Sequence, residues 1–254
     1  QGNRGDSETG YEPLPTTGGP GGKMNLWIVA SMEEELALLI SAADARLKGR
    51  AGGFPFFAGA MGDRGINLGV TGVGVAAACV TLGALCGSDR PDLMVMVGSA
   101  GSLPGSGLKA GDMVVAETEI LAELGVVAGP GIGDAHGMRL PGLMQEIPLD
   151  QAFSARLLHH AVGMGKAVSG RILTVAGSSA NDDHARDRKT RFQALAENME
   201  GYALALAGSR FGIKTAEIRG ISNRAGDRDK SHWDFKKALL PPQEVLLEYL
   251  RKRH

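Results

Sequence analysis

The chain has 254 residues, 43% of them hydrophobic and 22% charged, with a formal net charge of -1. That is enough apolar material for one sizeable core. The near-zero charge excludes whole-chain electrostatic attraction to nucleic acid or an anionic membrane.

Residues 1–23 are rich in Gly, Pro, Ser and Thr and poor in apolar side chains. They cannot bury enough surface to offset their ordering entropy. A disordered tail is expected there, ahead of a single domain over residues 24–254. Neither a signal peptide nor a run of roughly 18 apolar residues is recognised, so a cytoplasmic location is expected. The two cysteines, Cys79 and Cys86, lack CxxC spacing and read as small core residues of one helix.

Residues 25–30 (NLWIVA) form a short apolar run, as in a buried strand. Ser31 is predicted to N-cap the following helix, with Glu34 completing a capping box. Glu35 precedes the apolar LALL run and is the glutamate of the EEE cluster expected to point over the sheet end. Residues 54–60 and 66–71 read as strands joined by a turn at 62–65. TGVG at 71–74 then opens a helical run. A strand, a Gly-rich turn and a helix can bring backbone close to a ligand. The third glycine of a dinucleotide fingerprint is missing, however, and a tight turn explains the motif equally well.

Residues 92–97 read as a central strand ending in GSAG, where Ser99 offers a hydroxyl and an amide to a ligand. A further strand is predicted over 113–117. Residues 119–148 look irregular, as in a binding loop or lid, with His136 solvated within it. A helix capped by Asp150 is expected over 150–164 and a strand over 166–176. The run HARDRK at 184–189 reads as a solvated helix face. Residues 194–199 return to the sheet. Glu200 then stands between a strand end and an Ala/Leu-rich helix, and Arg219, Ser222 and Asn223 crowd the end of the next strand. A C-terminal helix from Asp234 is expected to be interrupted at Pro241-Pro242.

Alternating strands and helices predict an α/β domain with a twisted, mixed sheet flanked by helices. Ligands of such sheets bind beyond the carboxyl ends of the strands, where the polar residues above collect. The histidines are scattered with no HExxH or Cys/His cluster, so neither a metal nor an organic cofactor is expected.

Several separated motifs combine: ASMEEE at 30–35, TGVG at 71–74, VGSAGS at 97–102, NMEGYALA at 198–205 and RGISN at 219–223. Through them the chain resembles the nucleoside phosphorylase/nucleosidase superfamily from Met24 onward. EIRGISNRAGDRDKSHWD at 217–234 is most similar to the futalosine hydrolase branch. The resemblance implies that Glu35 activates the attacking water, Glu200 takes the ribose hydroxyls and Met199 lines the sugar pocket. Ser99 and Arg219 then belong to the sugar and water side, Ser222 is a further substrate-binding residue, and the loop around Ser179 and Ala180 holds the base. Asn223 addresses the purine, where adenine-specific relatives carry an aspartate. An amide there suits a 6-oxo purine, donating to the oxo group and accepting from protonated N7.

Met96 occupies the position where related phosphorylases grip phosphate with an arginine, which favours water as nucleophile. Arg228 or Lys230, with Trp233, is a candidate for a carboxyphenyl group on the 5′ side. The implied partners are a small nucleoside and water, without nucleic acid or membrane. The protein itself is expected to be a homo-oligomer, foremost a dimer, with the 119–148 loop reaching a neighbour's site. An adenine-releasing nucleosidase, a purine nucleoside phosphorylase and a catalytically silent nucleoside-binding protein stay open as alternatives.

Overall fold

The computed structural model describes residues 24–125 and 142–252. Its strands are β1 (Leu26–Ala30), β2 (Arg46–Ala51), β3 (Phe54–Met61), β4 (Arg64–Val70), β5 (Leu93–Ser102), β6 (Met113–Leu121), β7 (Glu146–Pro148), β8 (Ala167–Thr174), β9 (Ala196–Asn198) and β10 (Lys214–Arg224). Its helices are α1 (Ala37–Ala42), α2 (Val75–Asp89), α3 (Gln151–Met164), α4 (Asp182–Phe192), α5 (Gly201–Phe211) and α6 (Phe235–Arg251).

The central strands are apolar along their whole length because helices cover both faces. β1 is buried at every residue. On one face Val95, Val97, Ala216 and Ile218 meet Leu157 of α3 and Val245 and Leu246 of α6. On the other, Met94, Met96 and Ile221 meet Leu82 of α2 and Leu204 of α5. A smaller cluster joins Ile120 and Leu173 to Ala185 and Phe192 of α4. The expected mixed α/β sheet is present, with β1 parallel to β4 and β5, and the β2–β3–β4 meander antiparallel.

The sheet is also more closed than an open twisted sheet. β5 runs parallel to β10 and also pairs antiparallel with β9 at Gly101 and Ser102. β10 pairs with β6, β6 with β8, and β8 with β9, so these strands form a ring. The long β5 makes this possible: its small GSAGS end lies between two partners.

Several local expectations change. β5 continues through Gly98–Ser102 instead of stopping at 97, and β6 runs on to Leu121, so Glu119 lies in a buried strand and not in an irregular loop. β2 carries no apolar alternation and was not foreseen. His136 and the middle of the 119–148 segment lie outside the described residues, as do residues 1–23. Asp150 caps α3 as expected, accepting from the Phe153 amide at 2.8 Å. α6 is not interrupted; Pro241 and Pro242 lie inside it. The carbonyls of Lys237 and Ala238 lose their helical donors there. At that point α6 presses onto β10 so closely that a Cβ at Gly220 would collide with the Ala238 carbonyl.

Candidate active site

A cavity of about 280 Å³ opens where β1, β4, β5, β8, β9 and β10 reach their carboxyl ends. Glu35, Ser99, Met199, Glu200, Ser222 and Asn223 all line it. Residues from both ends of the sequence converge because β1, β4, β5 and β10 run parallel and end at this edge, while β9, antiparallel to β5, brings its own carboxyl end to the Gly101–Ser102 segment.

Glu35 is buried at the end of the short 3-10 turn Glu33–Glu35. The capping box expected from Ser31 and Glu34 is replaced by a tighter arrangement. Glu35 Oε2 accepts from the Ser31 amide at 3.0 Å, the Ser31 hydroxyl at 2.6 Å and the Met32 amide at 3.1 Å. The Ser99 amide donates to Glu35 Oε1 at 3.2 Å. These donors fix the carboxylate in one orientation, and Ser31 serves the third glutamate instead of a helix end.

Glu200 is the second buried carboxylate of the cavity. Gly74, held at φ +91, donates its amide to Glu200 Oε1 at 2.9 Å. The TGVG turn therefore supplies a backbone donor to a carboxylate of the protein, and the positive φ explains the glycine. Burial pushes the Glu200 carboxyl up from its ordinary value, with Arg219 and the Gly74 amide partly opposing it.

Arg219 was expected beside sugar and water, but its fully buried side chain stands behind Glu200 instead. Nε donates to Glu217 Oε1 at 2.6 Å, Nη1 lies 3.5 Å from Glu200 Oε2, and Nη2 lies 2.9 Å from Met96 Sδ. A Cβ at Gly98 would collide with both Arg219 Nη1 and Glu35 Oε1, so only glycine lets these groups approach from opposite sides.

At the far end, Asn223 Oδ1 accepts from the Ser222 hydroxyl at 2.7 Å and its Nδ2 donates to the Arg224 carbonyl at 2.9 Å. Each amide atom keeps one further hydrogen-bonding capacity for a ligand. Ser179 is buried, and its amide and hydroxyl are both taken by Glu197, at 2.8 and 2.7 Å. Ala180 is exposed beside it. What this loop presents to the cavity is Ser178, whose hydroxyl accepts from Arg228 Nη1 at 2.9 Å.

Arg188 overturns the reading of HARDRK as a solvated face. It is buried and bonds Glu197 at 2.9 Å, Glu123 at 2.8 Å and the Gly177 carbonyl at 2.7 Å. It thereby pins the 177–179 loop to the sheet. A signal was available: Ala185, Arg188 and Phe192 fall on one helical face, and the other two are apolar. Glu119, Glu217, Asn198 and Thr174 also escaped the sequence reading. All four are buried, and they form a polar cluster at the N-terminus of α5. Glu217 had the visible mark of a charge between Ala216 and Ile218 in a core strand.

Two buried carboxylates and a carboxamide lining one small cavity at a sheet's carboxyl edge make a polar small-molecule site. The chain belongs to the Phosphorylase superfamily, whose sequence profile matches residues 25–251. It is 34% identical over 171 residues to a futalosine hydrolase of Thermus thermophilus, covering 66% of this chain and 74% of that one. It is 27% identical over 228 residues to a 5′-methylthioadenosine/S-adenosylhomocysteine nucleosidase of Anoxybacillus flavithermus, covering 88% and 96%. A solved 5′-methylthioadenosine/S-adenosylhomocysteine nucleosidase of Colwellia psychrerythraea, in complex with adenine, matches with a TM-score of 0.78 at 25% identity over 90% of this chain and 95% of that one.

Proposed function

We propose that the chain is a nucleosidase that hydrolyses the N-glycosidic bond of futalosine, releasing hypoxanthine and dehypoxanthine futalosine for menaquinone biosynthesis. The observation that carries this reading is the cavity itself, lined together by Glu35, Glu200 and Asn223, the last an amide where an adenine-specific site would carry an acid. As the glycosidic bond lengthens, positive charge grows on the ribosyl ring and negative charge on the purine. Glu35 takes a proton from water as the water oxygen bonds the anomeric carbon. The electron pair of the breaking bond leaves with the base. Glu200 holds the ribose hydroxyls beside Met199 and Ser99. The departing base takes a proton from solvent at N7, and Asn223 donates to the 6-oxo group and accepts from that N7–H. With its amide held in this orientation by Ser222 and the Arg224 carbonyl, adenine would set donor against donor and acceptor against acceptor.

Water is favoured over phosphate by the surroundings of Arg219. Its guanidinium already serves Glu217 and Glu200, and those carboxylates repel an incoming anion. On the 5′ side, Arg228 lies on the cavity wall and its guanidinium sits 5.2 Å from the Trp233 ring centroid. This favours Arg228 over the exposed Lys230 as partner of a carboxylate on the 5′ substituent. A homo-oligomer, foremost a dimer, working in the cytoplasm completes the reading.

The test is to incubate the protein with futalosine, aminodeoxyfutalosine, 5′-methylthioadenosine and inosine, with and without phosphate, and follow the free base. Hypoxanthine from futalosine without phosphate is expected. Adenine release without hypoxanthine sinks the role given to Asn223, phosphate dependence sinks the hydrolase reading, and no base at all points to a nucleoside-binding protein.

A further inference from the structure

We propose that Glu119 and Glu217 share a single proton as a buried acid pair, and that this pair positions Arg219 and supplies its counter-charge behind the active site. Both side chains are fully buried. Glu119 Oε1 accepts from Asn198 Nδ2 at 2.7 Å, and Oε2 accepts from the Thr174 hydroxyl at 2.7 Å. Glu217 Oε1 accepts from Arg219 Nε at 2.6 Å and from Asn198 Nδ2 at 3.3 Å. Glu217 Oε2 is buried and, among the described residues, has no donor from any N–H or hydroxyl group. Such an orphan is costly in the interior.

The geometry supplies the missing donor. Glu119 Oε1 and Glu217 Oε2 crowd the same side of Gly201, where an added Cβ would collide with both. Two carboxyl groups so close in a dry site cannot both ionise, and a proton between them turns repulsion into a hydrogen bond. Burial and Glu217 both push the Glu119 carboxyl up, whereas Glu217 is the one bonded to the guanidinium. The asymmetry is therefore neutral Glu119, charged Glu217, charged Arg219. Glu200 and Glu35 are the further carboxylates that face this guanidinium.

The arrangement sits at the start of α5. Asn198 Oδ1 accepts from the amides of Glu200 and Gly201, both at 2.8 Å, and Thr174 Oγ1 accepts from the Tyr202 amide at 2.7 Å. The same two side chains that hold Glu119 thus also fix the backbone from Glu200 to Tyr202, with Asn198 on the Glu200 amide itself. Glu119 and Glu217 are positioning residues, and their effect on turnover rests on the hydrolase reading above. The shared proton does not.

The experiment is infrared spectroscopy of the full chain near pH 8, above the ordinary carboxylate range. A protonated-carboxyl carbonyl band is expected in the wild type. It should vanish in E119Q and in E217Q and survive in E200Q. No band in the wild type, a band untouched by E119Q, or its loss in E200Q alone overturns the proposal. Turnover supplies the second arm. E217Q leaves Glu119 to carry the charge away from Arg219 and is expected to lose kcat by about a hundredfold through misplacement of the guanidinium. E119Q keeps a neutral partner and is expected to lose less than about tenfold. Equal losses in two variants with native circular dichroism overturn the asymmetry. Should E119Q not fold, the wild-type and E200Q spectra still decide. Should no nucleoside be cleaved, the infrared arm stands by itself.

Discussion

The floor of the cavity and its rim are built on opposite rules. On and beneath the floor, Glu35, Glu200 and Glu217 are buried and accept from named donors, and Arg219 donates to Glu217 and pairs with Glu200, so losing the guanidinium strands both carboxylates. On the rim, residues 227–233 are half-buried or exposed and pair among themselves: Asp227 with His232 at 2.8 Å, Asp229 with Ser231 at 2.7 Å, and the Trp233 ring N–H with the Asp227 carbonyl at 3.0 Å. Arg228 is exposed and touches both Ser178 and Trp233. Preorganised groups suit chemistry whose charge development is always the same. A self-sufficient rim suits recognition of a substituent that differs between substrates, because it can be altered without unseating the floor.

This contrast can be broken by substitution. The largest effect is expected from Glu35→Gln, with kcat down about 10²–10⁴-fold and circular dichroism unchanged, since its donors also serve an amide oxygen. Next is Arg188→Met, which leaves Glu197 buried without its counter-ion; a loss of about 3–5 kcal/mol in denaturant unfolding is expected. Third is pH. Because the buried Glu119 carboxyl is raised above its ordinary value of 4.5, the native state holds a proton that the unfolded chain has released. That contribution to stability is complete below the ordinary value and is lost as pH rises, at most about 1.4 kcal/mol per pH unit. Glu119→Gln should flatten this slope of melting temperature against pH.

Two rim-side predictions are smaller. Asn223→Asp should move the kcat/KM ratio of futalosine to aminodeoxyfutalosine toward the amino purine by roughly tenfold or more. Arg228→Ala should raise the futalosine KM about twofold to fivefold with kcat unchanged, the scale of an exposed cation–π contact. If Arg228→Ala lowers kcat as strongly as Glu35→Gln, the separation of floor from rim is wrong.

The sequence exposed these regions unequally. The polar groups at strand ends were legible because each interrupts an apolar run: Glu35 after NLWIVA, Glu200 before ALALA, Asn223 after RGIS. Sheet closure was not, because pairing of β5 with both β9 and β10 depends on contacts between distant segments and leaves no local period. Glu119 and Arg188 were hidden for a related reason. Arg188 sits in a stretch whose composition reads as polar and Glu119 at the head of one that reads as an irregular loop, and only the neighbours brought by the fold make each interior. Ser179 shows the converse, since a hydroxyl beside the cavity is spent on holding Glu197.

Ring closure has one more consequence, for how copies of this protein meet in a crowded solution. Among the described residues, the free rim of the main sheet path falls on β2, at the end opposite the ring. An unpaired strand is a template for foreign strands. β2 carries Arg46, Lys48 and Arg50, all exposed, and its register with β3 slips between Leu47 and Gly49. Positive charge and an irregular outline make that border a poor seed for intermolecular strand addition. Exchanging these basic residues for threonine would leave the distant pocket intact while inviting aggregation.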